Sequence, residues 1–121
     1  MRRPLPLVFG AALLALASST PALSARLAPA VTAVQRGATL LLVGTGFAPP
    51  IEFCRSPVVR IDGRPAAVTG RLADDNGGWA IRVRITQAPG RHVATMAQTC
   101  TSGNTGQART TTARAGFRVF R

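Results

Sequence analysis

The stretch Gly-Ala-Thr-Leu-Leu-Leu-Val-Gly-Thr-Gly-Phe-Ala-Pro-Pro, residues 37–50, decides the fold. Its four consecutive aliphatic residues, 40–43, are apolar on both faces of an extended chain. They predict a central strand, although periodicity by itself also allows a short buried helix. Gly44 and Gly46 end that strand, Phe47 is expected to fold back into the core, and the paired prolines open a loop.

The rest of the chain has the pattern of short strands separated by turns. Strands are predicted at 28–34, 38–43, 58–61, 66–72, 79–86, 91–100 and 116–120. The first is expected to contain a bulge or bend, because Val31 and Val34 are three residues apart. Asp62-Gly63 predicts a hairpin, and residues 101–113 predict a long polar loop. No stretch has convincing helical periodicity, so the pattern predicts an all-β sandwich.

The first 25 residues have the order of a secretory signal peptide. A positive start is followed by an apolar run at 5–16 and by small residues at 18–25. The run is shorter than the ~20 residues that a membrane-spanning helix needs, although an uncleaved anchor is the alternative. We therefore expect a signal peptide at 1–25 and one domain at 26–121. The expected location is secreted, periplasmic or cell-envelope associated.

The chain has two cysteines, which in an exported protein predict one disulfide between Cys54 and Cys100. Closing that loop stabilises the fold by about 4 kcal/mol in the chain-entropy model. In a sandwich of successive antiparallel strands, the loops at 48–57, 74–78 and 101–113 lie at the same pole. The disulfide would then join two of those loops.

The charge is strongly basic, with a formal net charge of +11. Without residues 1–25, thirteen arginines remain against four acidic residues, a net charge of +9. This balance favours polyanions as partners, with an acidic envelope polymer or an exported protein first. An ordinary solvated basic surface is the alternative. Nucleic acid is disfavoured, because few aromatic residues are left outside the predicted core.

Two groups of arginines are the candidate binding residues. Arg82 and Arg84 alternate outward on one predicted strand, and with Arg60 and Arg71 they are expected to form a basic stripe on one sheet face. The second group is Arg109 and Arg114, which fall in or beside the predicted polar loop, where sandwich folds often bind their partners.

Catalytic and metal chemistry have little support in the sequence. His92 is the only histidine and is expected to be a core or corner residue making one hydrogen bond. With both cysteines bridged, no thiol nucleophile remains. The turn at 74–76, together with Glu52, could offer oxygens to Ca²⁺, but a plain turn fits the spacing better. We expect no enzymatic activity, no cofactor and no metal site.

The order of the motifs resembles bacterial immunoglobulin-like domains of the IPT/TIG type. Four motifs carry the resemblance: Gly-Thr-Gly-Phe-Ala-Pro, Ile-Asp-Gly, Ala-Asp-Asp-Asn-Gly-Gly and Ala-Pro-Gly-Arg-His-Val-Ala. The resemblance implies an immunoglobulin-like Greek-key β-sandwich of about seven strands, and it implies no catalytic residue. A looser similarity to secreted apoproteins of the neocarzinostatin type rests on the glycine-ended strand and the Asp-Asp-Asn-Gly turn. That family has two disulfides and an acidic charge, unlike this chain.

Two functions follow as hypotheses. The first is a non-enzymatic exported module that binds acidic envelope polymers or an envelope protein through its arginines. The second is a carrier of a small apolar ligand in a cleft between the loops, as in the neocarzinostatin type.

Overall fold

The structure is a computed structural model that describes residues 24–49 and 53–121. These residues form nine strands: β1 (Arg26–Pro29), β2 (Ala33–Gln35), β3 (Thr39–Thr45), β4 (Val58–Ile61), β5 (Arg64–Pro65), β6 (Ala67–Ala73), β7 (Trp79–Arg84), β8 (Gly90–Thr101) and β9 (Ala108–Phe120). Residues 1–23 of the predicted signal peptide lie outside the described residues, as does Glu52. In the described part of the chain, no helix is long and apolar enough to cross a membrane.

The strands form two sheets that enclose one core. One sheet has the order β1-β3-β7-β6 and the other the order β2-β9-β8-β4-β5. Seven of the strands share the sheet membership of immunoglobulin constant-type domains, four in one sheet and three in the other, while β2 and β5 are short additions. The predicted all-β, immunoglobulin-like Greek-key sandwich is therefore confirmed.

Strand β3 lies between β1 and β7, so the central strand is confirmed and the short-helix alternative is wrong. Leu40 and Leu42 are fully buried, whereas Val43, on the other face, is 39% exposed. The strand ends where the sequence predicts. A Cβ added at Gly44 would lie 2.7 Å from the sulfur of Met96, and Phe47 folds back to only 6% exposure. Gly44 thus leaves room for the side chains that close this end of the core.

The irregular first strand is two strands in different sheets. The chain leaves β1 of the four-stranded sheet at Pro29 and joins the other sheet at Ala33, where β2 pairs in parallel with β9. Val31 lies between them and is 51% exposed, while Val34 is buried. The three-residue spacing of the two valines therefore marks a crossing between sheets instead of a bulge.

The hairpin at Asp62-Gly63 is confirmed as a two-residue turn in which both residues have positive φ, 53° and 82°. Its returning strand is only the two residues of β5. Pro65 lacks the N–H that a longer ladder needs, and the chain then crosses to the four-stranded sheet as β6. The predicted strand at 66–72 is therefore confirmed as a strand, but it pairs with β7.

The long polar loop predicted at 101–113 is wrong. Strand β9 begins at Ala108, and its residues pair with β8 over the whole length of that strand, from Thr101↔Ala108 to Gly90↔Val119. The threonine run at 110–112 is polar, but threonine is β-branched and favours strands. The remaining loop is confined to residues 102–107.

Gly77 provides a test of the predicted Asp-Asp-Asn-Gly turn. Its φ is +86°, and an added Cβ would overlap the carbonyl oxygen of Phe47. We expect Gly77→Ala to lower the free energy of unfolding by about 2 kcal/mol, because it combines a left-handed backbone with a steric clash. Urea unfolding of the variant measures this value.

The matched control is Gly63→Ala, because φ at Gly63 is +82° and no atom lies within 4 Å of an added Cβ. This variant should cost about 1 kcal/mol, from the backbone conformation alone. Equal losses in the two variants would contradict a steric role for the contact between Gly77 and Phe47.

Candidate functional site

The predicted clustering of loops at one pole is present in the structure. Thr101 N–H donates to the carbonyl of Phe53 at 2.7 Å, and Phe47 N–H donates to the carbonyl of Gly77 at 3.2 Å. The disulfide between Cys54 and Cys100 is confirmed, with the two Cα atoms 4.0 Å apart. It fastens the crossover between β3 and β4 to the end of β8. We call this end of the sandwich, with turns at 46–49, 53–57, 74–78 and 102–107, the disulfide pole.

Ala48 holds the crossover against both sheets. Its N–H donates to Oε1 of Gln98 at 2.7 Å, and its carbonyl accepts from Nε2 of Gln98 at 2.9 Å and from Nε1 of Trp79 at 2.8 Å. Nε2 of Gln98 also donates to the carbonyl of Arg55 at 3.0 Å. Because Trp79 is in β7 and Gln98 in β8, one loop residue is bonded to side chains of both sheets.

Gln98 is the residue that sequence reasoning missed at this pole. It is 1% exposed, the one polar side chain in the buried set of the described residues. The expected inward residues of its strand were His92, Ala94, Met96 and Cys100. Strict alternation would have included position 98, and only its polarity hid it.

His92 bonds through both ring nitrogens, so the expectation of one hydrogen bond is wrong. Nδ1 lies 2.5 Å from Oδ2 of Asp62, and Nε2 lies 2.7 Å from the carbonyl oxygen of Ala88. A carbonyl and a carboxylate both accept, so both contacts are hydrogen bonds only when both nitrogens donate, an arrangement that favours the protonated imidazole. The hydrogen bond to Asp62 raises the pKa of His92 most, and the Ala88 carbonyl contributes, against an opposing desolvation.

The pKa of the Asp62 carboxyl is lowered, first by the hydrogen bond from His92 and then by the N–H of Val93, which donates to its Oδ1 at 3.0 Å. This pair joins the β4–β5 turn to β8 and to the β7–β8 turn. The geometry makes it a structural clamp whose strength depends on pH.

We expect the domain to lose stability as the pH rises through the raised pKa of His92. The contribution of His92 is complete below its ordinary value of 6.5 and disappears above its higher folded value. That of Asp62 is complete above its ordinary value of 3.8 and is lost as the pH falls below it. Urea midpoints at pH about 5.5 and about 8.5 measure the difference. In His92→Gln this part of the pH dependence should disappear, and an unchanged profile would contradict the assignment.

The outer face of the five-stranded sheet carries the densest group of outward arginines that the strand register defines. Cross-strand partners share a face, so Arg60 on β4 and Arg114 on β9, each paired with Thr95 of β8, lie in one row. Arg91 of β8 pairs directly with Arg118 of β9. We call these four residues, Arg60, Arg91, Arg114 and Arg118, the arginine face. All four are exposed.

The structure divides the predicted basic stripe. Arg82 and Arg84 do lie together on the outer face of β7, in the four-stranded sheet, but Arg60 belongs to the other sheet. Arg71 pairs with the buried Ile81, so it lies on the opposite face from Arg82. The expectation of one shared face is wrong, because the chain changes sheet between β5 and β6.

Arg109 and Arg114 are also separated, because both lie on β9 instead of in a loop. Arg109 pairs with Cys100 at the disulfide pole, on the face opposite to that of Arg114. Arg91 and Arg118 were not among the candidates, although alternation against the inward set would have placed Arg91 outward.

No arginine forms an ion pair with a carboxylate of the described residues. The sole ion pair among residues 24–49 and 53–121 is that of His92 with Asp62. Oδ1 of Asp74 instead accepts the N–H groups of Asn76 and Gly78, both at 2.8 Å, as the plain-turn interpretation predicts. Residues 24–49 and 53–121 also contain no group of three or more His, Cys, Asp or Glu that could hold a metal.

The disulfide pole has a cavity of about 570 Å³ between β8 and β9. Hydroxyl, amide and guanidinium groups line about half of it, among them those of Ser102, Thr105, Gln107 and Arg109. An apolar ligand would remove these groups from water without replacing their hydrogen bonds. The cavity therefore does not favour the carrier hypothesis.

Comparisons with known proteins find structural likeness without a sequence relative. No family model matches the chain, and no curated protein matches it. Among solved structures, the crystal structure of the titin M3 domain matches with a TM-score of 0.36 and 17% sequence identity. The match covers 78% of this chain and 97% of that one. The class of protein, an immunoglobulin-like sandwich, rests on the strand order given above.

Proposed function

We propose that this chain is a non-enzymatic, exported immunoglobulin-like module that binds an acidic envelope polymer through the arginine face. The observation that supports it most is the pairing of Arg91 with Arg118. Like charges directly opposite each other destabilise a sheet. No acidic side chain among the described residues offsets this repulsion by an ion pair. An anionic partner would offset it.

The layout of the arginine face suits an extended partner. Arg60 and Arg114 are two strands apart, a separation of about 10 Å between backbones. Arg114 and Arg118 are four residues apart along β9, about 13 Å. Thr95 and Gly116 lie between these side chains and project little. A flexible acidic chain could therefore contact several guanidinium groups at once, each of which can bind a carboxylate or phosphate with two hydrogen bonds.

The binding of the oxidised chain to immobilised polyglutamate at increasing salt tests the proposal. Counterion release makes such binding weaken steeply with salt. We expect Arg60→Gln combined with Arg114→Gln to weaken binding about tenfold at low salt and to flatten its salt dependence.

The matched control is Arg71→Gln combined with Arg82→Gln, which removes the same charge from the four-stranded sheet. It should leave binding within about twofold of the unmodified chain. Equal losses in the two double variants would attribute binding to net charge and would overturn the arginine face as a site. Binding that salt does not weaken would also count against the proposal.

The envelope location and the IPT/TIG type are parts of this proposal. Export rests on the signal-like residues 1–25, and the type rests on the four motifs of the sequence. Gly44 and Phe47 play the structural part expected of the first motif, since they close the core at the end of β3. Co-sedimentation with a bacterial envelope fraction, reversed by salt, is the expected result for the whole chain. A protein component of that fraction is the alternative partner.

A further inference from the structure

We infer that the pole opposite the disulfide contains a second, separate site, which binds a dianionic phosphoryl group. A cavity of about 650 Å³ opens there. Three arginines line it: Arg36 from the turn before β3, Arg84 from the end of β7, and Arg121 after β9. None of them belongs to the arginine face.

The backbone around this cavity is fixed by hydrogen bonds between the three segments. Arg36 N–H donates to the carbonyl of Phe120 at 2.8 Å, and Gly37 N–H donates to that of Ile85 at 2.8 Å. Ile85 N–H returns a bond of 2.9 Å to the carbonyl of Ala38. Arg36 and Arg84 therefore extend from backbone that these bonds hold in place, and Arg121 directly follows Phe120, whose carbonyl takes part. A fixed backbone lowers the entropic cost of binding a ligand between them.

The charged side chains that line the cavity are all positive hydrogen-bond donors, and Ile85 and Pro89 contribute apolar surface beside them. No acidic side chain is among the lining residues, and none of the three arginines has an ion pair within the described part of the chain. The hydroxyl of Thr86, whose N–H donates to Oε1 of Gln87 at 3.2 Å, also borders the cavity. Within the described residues that hydroxyl has no hydrogen bond of its own, so it is free to donate.

This donor set matches a phosphoryl dianion better than a single carboxylate. Each guanidinium presents N–H groups in a planar fork that pairs with two oxygens. Three such groups carry three positive charges, and a phosphate monoester carries about two negative charges at neutral pH with three terminal oxygens. A carboxylate would satisfy one fork and leave two charges unpaired.

Thermal unfolding at constant ionic strength, with chloride replaced stepwise by inorganic phosphate, tests the site. A ligand that binds only the folded state raises Tm with a saturable dependence on its concentration. Phosphate also stabilises proteins without a specific site, by its exclusion from their surface. The comparison must therefore be made between variants in the same buffer series.

We expect the saturable rise of Tm to be lost in Arg36→Gln combined with Arg84→Gln, and to be kept in Arg60→Gln combined with Arg114→Gln. The two double variants remove equal charge from different surfaces. Arg36→Lys combined with Arg84→Lys should weaken phosphate binding several-fold, because lysine keeps the charge and loses the fork. An equal rise of Tm in all variants would overturn the site, and full binding by the lysine variant would overturn recognition by the guanidinium forks.

Folding of the variants is checked without phosphate. Removing two like charges from one cavity should leave Tm equal or slightly higher, so a loss of binding with an unchanged Tm is not misfolding.

Glycerol 3-phosphate is titrated beside inorganic phosphate. Tighter binding of the ester assigns the site to a phosphate-bearing polymer or headgroup, and tighter binding of the ion assigns it to free phosphate. The variant with Arg36→Gln and Arg84→Gln should still bind polyglutamate, which would separate this site from the arginine face.

Discussion

Replacing Cys54 and Cys100 together by alanine is expected to lower the free energy of unfolding by about 4 kcal/mol. The two cysteines are 46 residues apart, so the bond removes much of the freedom of the unfolded chain. For a domain of this size the loss corresponds to a fall in Tm on the order of 15–30 °C. Thermal and urea unfolding of the oxidised chain and of the double variant measure it.

The native structure without the disulfide should keep its strand register. Arg55 N–H donates to the carbonyl of Thr99 at 3.1 Å, and Thr101 N–H donates to that of Phe53 at 2.7 Å, on the two sides of the bond. Chemical reduction of the unmodified chain should therefore reproduce the effect of the double variant. An equal Tm in the oxidised and reduced forms would contradict a stabilising role for the bond.

Gln98→Leu is expected to lower the free energy of unfolding by about 3 kcal/mol. Leucine has a similar volume but cannot form hydrogen bonds. The N–H of Ala48 and the carbonyl of Arg55 therefore lose their side-chain partner. An unpaired polar group costs about 1–3 kcal/mol when it is buried, and the two groups here are partly buried. The carbonyl of Ala48 keeps its bond from Trp79, so only two of the three backbone groups that Gln98 contacts are left without a partner. Urea unfolding gives the value.

The variant Gln98→Glu makes this prediction sharper. Near neutral pH its carboxylate would face two carbonyl oxygens, so it should be at least as destabilising as leucine. At low pH the protonated carboxyl can donate one hydrogen bond and recover part of the loss. Gln35→Leu, on the exposed edge of β2, is the matched control and should change stability by no more than about 0.5 kcal/mol. Similar losses at positions 35 and 98 would contradict a stabilising role for the hydrogen bonds between Gln98 and Ala48.

The candidate binding residues show what the alternation of side chains along a strand predicts and what it does not. The outward positions of Arg60, Arg82 and Arg84 follow from alternation, and all three are exposed. Which arginines share a surface depends on which strands are neighbours. That relation joins Arg60 with Arg114 through Thr95, although the two are 54 positions apart in the chain.

The prediction of a loop at 101–113 was wrong for a related reason. Its threonines and arginines are polar, and residues 108–112 at the start of β9 are exposed or half-buried on both faces. No hydrophobic alternation therefore marks this segment as a strand. The hydrogen bonds of β8 are what make it extended there. A strand stabilised by its neighbour carries little signal in its own residues, because β propensity depends on the context of the sheet.

By itself, the sequence determined the class of fold, the central strand, the Asp62-Gly63 turn and the disulfide partners. Each of these depends on local chemistry: apolar runs, glycine conformations and two cysteines with no other choice. The tertiary structure alone decided which sheet each strand joins, the hydrogen-bond partners of Gln98, the second bond of His92, and the division of the arginines between the arginine face and the opposite pole. These depend on contacts between residues far apart in the chain, whose free energies exist only once the two sheets are assembled.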